Sequence, residues 1–400
     1  MLTRRNFIRT AGITVGALGM APGWLMRASA EGAAKRKILV AIFQRGAADG
    51  LNVVVPFFER RYYETRKAIA IPEPGKPNGV IDLDGRFGLH PVLQPLKPLW
   101  DEGQLAIVEA TGSPDPTRSH FDAQEYMESG TPGVKVAEGW LNRTLPVVSE
   151  NNSPMRAVAM GTQVPLTLRG NRGALAVDDL PKFQVGNKET AGIIEALYGS
   201  STDAQLRKHG QGTFDAVRMI ESLSRQAYTP ANGAQYQGNF GRRLQQVARL
   251  IKADIGVEVA FADIGGWDHH GNENPQLSNL LREFGGSLAA FSRDMGDRME
   301  DIVVVTMSEF GRTFAENSNG GTDHGHGGVM MVLGGPVQGG SIFGRWPGLE
   351  PEQLYERRDL AVTTDFRDVL GELVAGHLKQ PVDRVFPGFT AGPAMGLLRA

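Results

Sequence analysis

The chain of 400 residues contains no cysteine. That excludes disulfides, thiolate metal sites and a lipid-anchored cysteine, so any metal must be held by oxygen and imidazole. Positive charge is not in excess either, with 42 Lys and Arg against 44 Asp and Glu. A surface of that balance does not recruit nucleic acid through its phosphates, and none is expected as a partner. Histidine is scarce, at eight residues, and beyond residue 30 no apolar run approaches the roughly 20 residues of a spanning helix. What is present is ordinary for a folded chain: 41% hydrophobic and 22% charged residues, with Gly 51 and Pro 23 spread through short turns.

The first thirty residues stand apart. "TRRNFIRT" sets Arg4 and Arg5 ahead of Phe7 and a modestly apolar stretch that ends at Ala28, Ser29 and Ala30, a pattern that resembles a twin-arginine export signal cleaved after Ala30. The expected domains are a signal peptide over residues 1–30 and one α/β domain over 31–400 with a helical insertion around 190–255. Cleavage would remove Arg4, Arg5, Arg9 and Arg27 and no acids, taking the 42 basic residues to 38 against 44 acidic ones, a formal charge of −6. The mature chain is then expected in the periplasm or outside the cell, with no stable membrane insertion.

"ILVAIF" at residues 38–43 is apolar without alternation, as in a strand buried on both faces of a parallel sheet. Further strands are expected at Leu51–Val55, Leu105–Glu109, Arg156–Met160, Val257–Ala262, Ile302–Thr306 and Met330–Leu333. Leu277, Leu280, Leu281, Phe284, Leu288, Phe291 and Met295 recur at helical spacing between two of these, giving a βαβ unit. The alternation predicts an α/β class with a largely parallel central sheet flanked by helices, and in such sheets the loops at the carboxyl ends of strands carry the site.

Clusters of potential ligands fall beside those strands. Asp49 follows the first, in "RGAADG"; Ser119, His120 and Asp122 lie in "TRSHFDAQ"; Asp268, His269 and His270 follow "VEVAFADIGGW"; Glu309 and Arg312 follow "DIVVVTM"; Asp323, His324 and His326 sit in "GGTDHGHGG". Carboxylates and imidazoles converging on one edge suit a divalent metal, which can activate a nucleophile and stabilise a leaving oxygen. Arg312 would offer a permanently charged fork to an oxyanion. Together these parts predict ester hydrolysis. His90, His209 and His377 have no such company and read as structural.

The motifs "RGAADGLNVVVP", "RSHFDAQEYMESG", "GGWDHHGN", "MSEFGRT", "NGGTDHGHGG" and "TTDFRDVLGE" resemble those of the exported bacterial domain-of-unknown-function 1501 family, itself more remotely similar to the alkaline phosphatase and sulfatase superfamily. The resemblance implies an alkaline-phosphatase-like sheet with metals at the strand ends. It implies Asp49, Asp268, His270, Glu309 and either His324 or His326 as metal ligands, with Ser119 (or Thr117) near the nucleophile's place. By their own chemistry Asp323 and the other of the two late histidines join the candidate ligands, His120 could be the base beside Ser119 if no metal reaches it, and Arg312 would bind the oxyanion. The residue after Glu309 is Phe310, where a ligand histidine would be expected, so one metal site would be incomplete unless Asp323 or His324 completes it. "SPDPTR" puts Pro114 at the sulfatase nucleophile position when Pro116 and Arg118 are matched, which favours phosphate-type over sulfate esters.

The expectation is therefore an exported metal-dependent hydrolase of a small-molecule or polymer ester. Its cofactor would be one or two divalent ions, zinc ahead of manganese, calcium or magnesium. The alternative is a non-catalytic relative that binds a cell-envelope polymer or a partner protein.

Overall fold

The computed structural model describes residues 36–146, 153–180 and 188–399. The expected signal segment lies outside the described residues. Among the described residues no helix is long and apolar enough to cross a membrane.

The apolar run at the start forms β1 (Ile38–Arg45), whose first seven residues are all buried. Because successive side chains alternate, Ile38, Val40 and Ile42 enter one hydrophobic layer while Leu39, Ala41 and Phe43 enter the other. The strand therefore needs helices on both faces. The remaining strands are β2 (Val54–Val55), β3 (Ile81–Asp82), β4 (Gly88–Leu89), β5 (Leu105–Gly112), β6 (Ala157–Met160), β7 (Leu175–Val177), β8 (Val259–Gly265), β9 (Ile302–Met307), β10 (Gly328–Gly334), β11 (Ser341–Phe343) and β12 (Thr364–Asp365). The central sheet runs β11-β5-β10-β9-β1-β8-β6-β7, with β12 also on β5, and β2-β4-β3 make a small separate sheet. All central pairings are parallel except those of β10, which is antiparallel to both β9 and β5.

Residues 51–55, expected as a strand, are mostly one helical turn, Gly50–Val53, with only Val54 and Val55 paired in the small sheet. A helical turn sets residues three apart side by side, and here both Asp49 and Asn52 must reach the same guanidinium, that of Arg66.

The helices of ten residues or more are α1 (His120–Ser129), α2 (Lys188–Gly199), α3 (Ala204–Ser224), α4 (Gly238–Lys252), α5 (Glu273–Met295) and α6 (Phe366–Gly376). α5 buries Leu277, Leu281, Phe284, Leu288, Phe291 and Met295 against one face of the sheet, each such side chain contributing about 1.5–3 kcal/mol. It joins β8 to β9 across β1, so the anticipated βαβ unit spans three adjacent strands. α6 covers the opposite face with Phe366, Val369, Leu370, Leu373 and Val374. Asp365 starts it by accepting from the Arg367 amide.

This topology places the site. The loops after β1, β5, β8 and β9 emerge at the carboxyl edge of the sheet. β10 runs the other way, so the loop that precedes it, residues 308–327 with the glycine-rich segment, reaches the same edge.

Candidate metal centre

Asp268 is the hub. Its loop is anchored by Trp267, a fully buried ring that donates Nε1–H to the Ile264 carbonyl at 2.9 Å. The turn after β1 presses so closely on it that a Cβ at Gly46 would lie 2.7 Å from the Asp268 nitrogen, and Gly46 has φ +118°. Only glycine satisfies both conditions.

Three imidazoles surround this carboxylate. His270 Nε2 lies 2.9 Å and His324 Nε2 3.3 Å from Asp268 Oδ1, and His120 Nε2 lies 3.4 Å from Oδ2. Each ring is held through its other nitrogen. His120 Nδ1 meets Glu309 Oε1 at 2.9 Å, His270 Nδ1 meets Asp323 Oδ1 at 3.2 Å, and His324 Nδ1 meets the Arg118 carbonyl at 2.8 Å. An acceptor at Nδ1 keeps the proton there and turns the Nε2 lone pair inward, as in metal-ligating histidines.

Two details fit a divalent cation among these groups. His120 Nε2 is buried without a hydrogen-bond partner, although Asp268 Oδ2 lies 3.4 Å away. His270 Nε2 and His324 Nε2 face each other at 3.0 Å, a contact that repels when both nitrogens carry lone pairs and is relieved by a cation between them. His120, Asp268 and His324 offer ligand atoms all within 4.8 Å of one another. The Asp268 and His270 side chains are nearly half exposed, at 43% and 45%, so the group opens to solvent on one side. A donor set rich in imidazole suits zinc first.

The electrostatics follow from these neighbours. Burial pushes the Asp268 carboxyl up, but the hydrogen bond and charge of Arg312, then His270 and His120, outweigh it and hold the group at about 2. Its hydrogen bond to Glu309 draws His120 above the ordinary imidazole value, against a smaller desolvation effect. Burial lowers His324. Glu309 is fully buried, yet His120, Gln124 and the Gly46 amide donate to it and keep it below the usual carboxylate range.

Other candidates lie elsewhere or act differently. Arg312 is buried and spends its fork inside the protein: Nε–H donates to the Ala47 carbonyl at 2.8 Å, and the terminal nitrogens to the carbonyls of Gly46, Thr322 and Trp267 and to Asp268. It positions Asp268 and is not turned out to meet a substrate oxyanion. Ser119 is the N-cap of α1, its Oγ accepting from the Asp122 amide at 3.5 Å, while Thr117 Oγ1 accepts from the Ser119 amide. His120 stands among the imidazoles, so it faces the centre from within the group.

His326 parts company with His324. Its ring stacks on Tyr355 at 4.3 Å, its Nδ1 lies 3.4 Å from Asp359 Oδ2, and its buried Nε2 has no partner. Asp49, expected as a ligand, is closed into a buried ion pair with Arg66. Burial raises it, but Arg66 more than compensates; the same burial, with Asp49 adjacent, pushes Glu273 well above the carboxylate range.

The glycines around His324 serve close backbone approach. Arg312 and His324 form an antiparallel bridge, and a Cβ at Gly325 would sit 2.3 Å from the Arg312 carbonyl carbon, one at Gly311 1.9 Å from the Gly327 oxygen.

Sequence reasoning did not single out Gln124, Arg66, Glu273 or Asp359. Gln124 had a usable signal: it lies four residues after His120 on α1, so both reach Glu309 Oε1 at 2.9 Å. Asp359 had none, because the guanidinium it meets, that of Arg118, lies 241 residues away.

The sequence pattern of the protein family described as "Protein of unknown function (DUF1501)" matches residues 104–381. No curated protein matches the chain. Among solved structures, the fold is similar to the PsFucS1 sulfatase from Pseudoalteromonas sp., at 12% identity and TM-score 0.37 over 95% of this chain and 78% of that one. It is also similar to the alkaline phosphatase of Thermus thermophilus, at 14% identity and TM-score 0.29 over 73% and 64%. The phosphonate monoester hydrolase of Agrobacterium radiobacter gives 10% identity and TM-score 0.27 over 89% and 78%.

Proposed function

We propose, for a chain that belongs to the DUF1501 family, that the cluster on Asp268 binds a divalent cation, zinc in preference to manganese, calcium or magnesium, and that the loaded protein hydrolyses a phosphate-type ester after export. The observation that carries this is the shared orientation of His120, His270 and His324, each tied at Nδ1 and each turning Nε2 toward one carboxylate.

A bound cation would polarise the ester oxygen and lower the pKa of a coordinated water. The chain's own residues do the rest. Arg312 fixes Asp268 through Oδ1, Glu309 and the Arg118 carbonyl orient His120 and His324, and Asp323 orients His270. Residues 1–30 supply the export half of the proposal, through Arg4, Arg5 and the Ala28 to Ala30 segment.

A second reading, a metal-stabilised scaffold that binds an envelope polymer or a partner, is favoured by one observation. Ser119 caps a helix and Arg312 is enclosed, so neither is poised as nucleophile or oxyanion donor.

The test is elemental analysis of the protein purified without a histidine tag, beside His324→Ala, followed by assays on p-nitrophenyl phosphate, a phosphodiester and a sulfate ester. We expect a tightly held divalent ion, lowered more than about a hundredfold in affinity by His324→Ala, and metal-dependent turnover of a phosphate ester. Metal without turnover of any ester moves the function to the scaffold. A protein that takes up none of the four metals sinks the centre altogether.

A further inference from the structure

Resting on the cation reading above, we infer that the centre holds a single divalent ion, and that the guanidinium of Arg66 stands, as a built-in cation, where a second ion would need its ligands. Beyond Asp268, and Asp323 whose Oδ1 is taken by His270 and Asn317, the carboxylates that follow the neighbouring strands β1 and β9 are Asp49 and Glu309. Both are already engaged by donors inside the protein. Glu309 Oε1 accepts from the Gly46 amide at 2.8 Å and from Gln124 and His120 at 2.9 Å each, and Oε2 lies 3.2 Å from Ser308 Oγ.

Asp49 takes a guanidinium on both oxygens, one of the contacts at 3.0 Å. That guanidinium is fully buried and every other contact holds it in place: Asn52 Oδ1 at 2.9 Å and the carbonyls of Thr313 and Phe314 at 2.8 Å each. Asn52 Oδ1 also accepts from Tyr62 at 2.6 Å, and its amide donates to Glu273 at 3.0 Å, which in turn accepts from Thr322 at 3.0 Å. Arg66 is therefore a fixed part of the core, with charge, direction and hydrogen bonds all matched.

A divalent ion at Asp49 would have to displace it or lie beside it. Displacement leaves a buried guanidinium with carbonyls and no counter-charge; coexistence puts like charges side by side at low dielectric, with Arg312 also acting on Asp49. At Asp268 the guanidinium of Arg312 takes only Oδ1, while Oδ2 faces His120 Nε2 and the side chain is 43% exposed, so a cation there displaces no buried charge and its repulsion from Arg312 is screened by solvent. The consequence for the reaction is that any ester chemistry here runs with one ion and no symmetric two-metal clamp.

The experiment counts ions in the full chain, after loading in turn with zinc, manganese and magnesium and desalting, for the wild type, for the double variant Asp49→Asn, Arg66→Met, and for Arg66→Met alone. The double variant removes both charges together, so no unpaired charge is left buried. We expect about one ion per chain in the wild type, the same in the double variant, and a second, weaker ion in Arg66→Met once the stand-in charge is gone. Two ions in the wild type, with one lost in the double variant, overturn the inference while leaving the cation reading intact. A folded Arg66→Met that never exceeds one ion overturns the stand-in role of Arg66. No ion in the wild type overturns both the inference and the reading beneath it. If the variants fail to fold, the wild-type count alone decides between one ion and two.

Discussion

Two aspartates follow neighbouring parallel strands and end in opposite environments. Asp268, after β8, is 43% exposed, meets three imidazoles and keeps an open side. Asp49, after β1, is 2% exposed and meets one guanidinium that is itself fully buried. Both carboxyls are held in the ionised form by an arginine, Arg312 in one case and Arg66 in the other. The difference is the second layer. Around Asp268 the arginine shares Oδ1 with two imidazoles and leaves Oδ2 toward His120 and solvent, while around Asp49 it takes both oxygens. In the proposed reading the first carboxylate receives a guest cation, and the second already has its own in Arg66.

The largest expected effect comes from breaking the closed member of that pair. Asp49→Ala leaves Arg66 buried with its carbonyl partners but without the carboxylate that balances its charge, and should cost about 3–5 kcal/mol of stability, read as a shift in the urea midpoint. Metal uptake at Asp268 should persist in whatever fraction folds. A loss of bound metal out of proportion to unfolding would mean that Asp49 belongs to the cation centre after all.

Glu309→Gln probes the open member from one layer out. The amide keeps the volume but cannot hold His120 Nδ1–H as a carboxylate does, and metal affinity should fall about 10- to 100-fold in a competition titration with a chromogenic chelator. An unchanged affinity would remove His120 from the ligand set and leave Asp268, His270 and His324.

The histidines outside both regions give a smaller, pH-linked effect. His90 and His377 are buried, which lowers each to about 4. In the unfolded chain each titrates near 6.5, so between these values the unfolded state binds more protons and stability rises with pH. The contribution is complete above about pH 6.5 and is lost toward pH 4, at up to about 1.4 kcal/mol per pH unit for each ring. Urea midpoints of the metal-free protein at several pH values test this, and His377→Gln should flatten the slope.

Ser119→Ala should have the least consequence, about 1 kcal/mol from the lost helix cap, with ester turnover retained. Turnover that vanishes at unchanged metal content would return Ser119 to the role of nucleophile.

Much of the frame was legible from residues. The unbroken "ILVAIF" run announced a strand buried on both faces, and the spacing from Leu277 to Met295 announced the crossover helix, because burial imposes those periods. Asp268, His270 and His324 stood out as imidazole and carboxylate beside glycine. What remained illegible was pairing at a distance. Asp49 looked like a ligand because nothing in "YYETRKAIA" marks Arg66 as its partner. His326 looked equivalent to His324 because its difference is made by Tyr355 and Asp359, some thirty residues on. The enclosure of Arg312 was illegible for the same reason, since backbone carbonyls that consume a guanidinium leave no trace in side-chain spelling.

The contact between Arg312 and Gly325 also bears on how an ion would be received. Backbone packed against backbone, with no room for a methyl group at Gly325 or Gly311, leaves His324 little freedom to lose. A cation captured there would find much of the ordering entropy already spent during folding, and selectivity among metals would rest on the size and angles of a preset cavity.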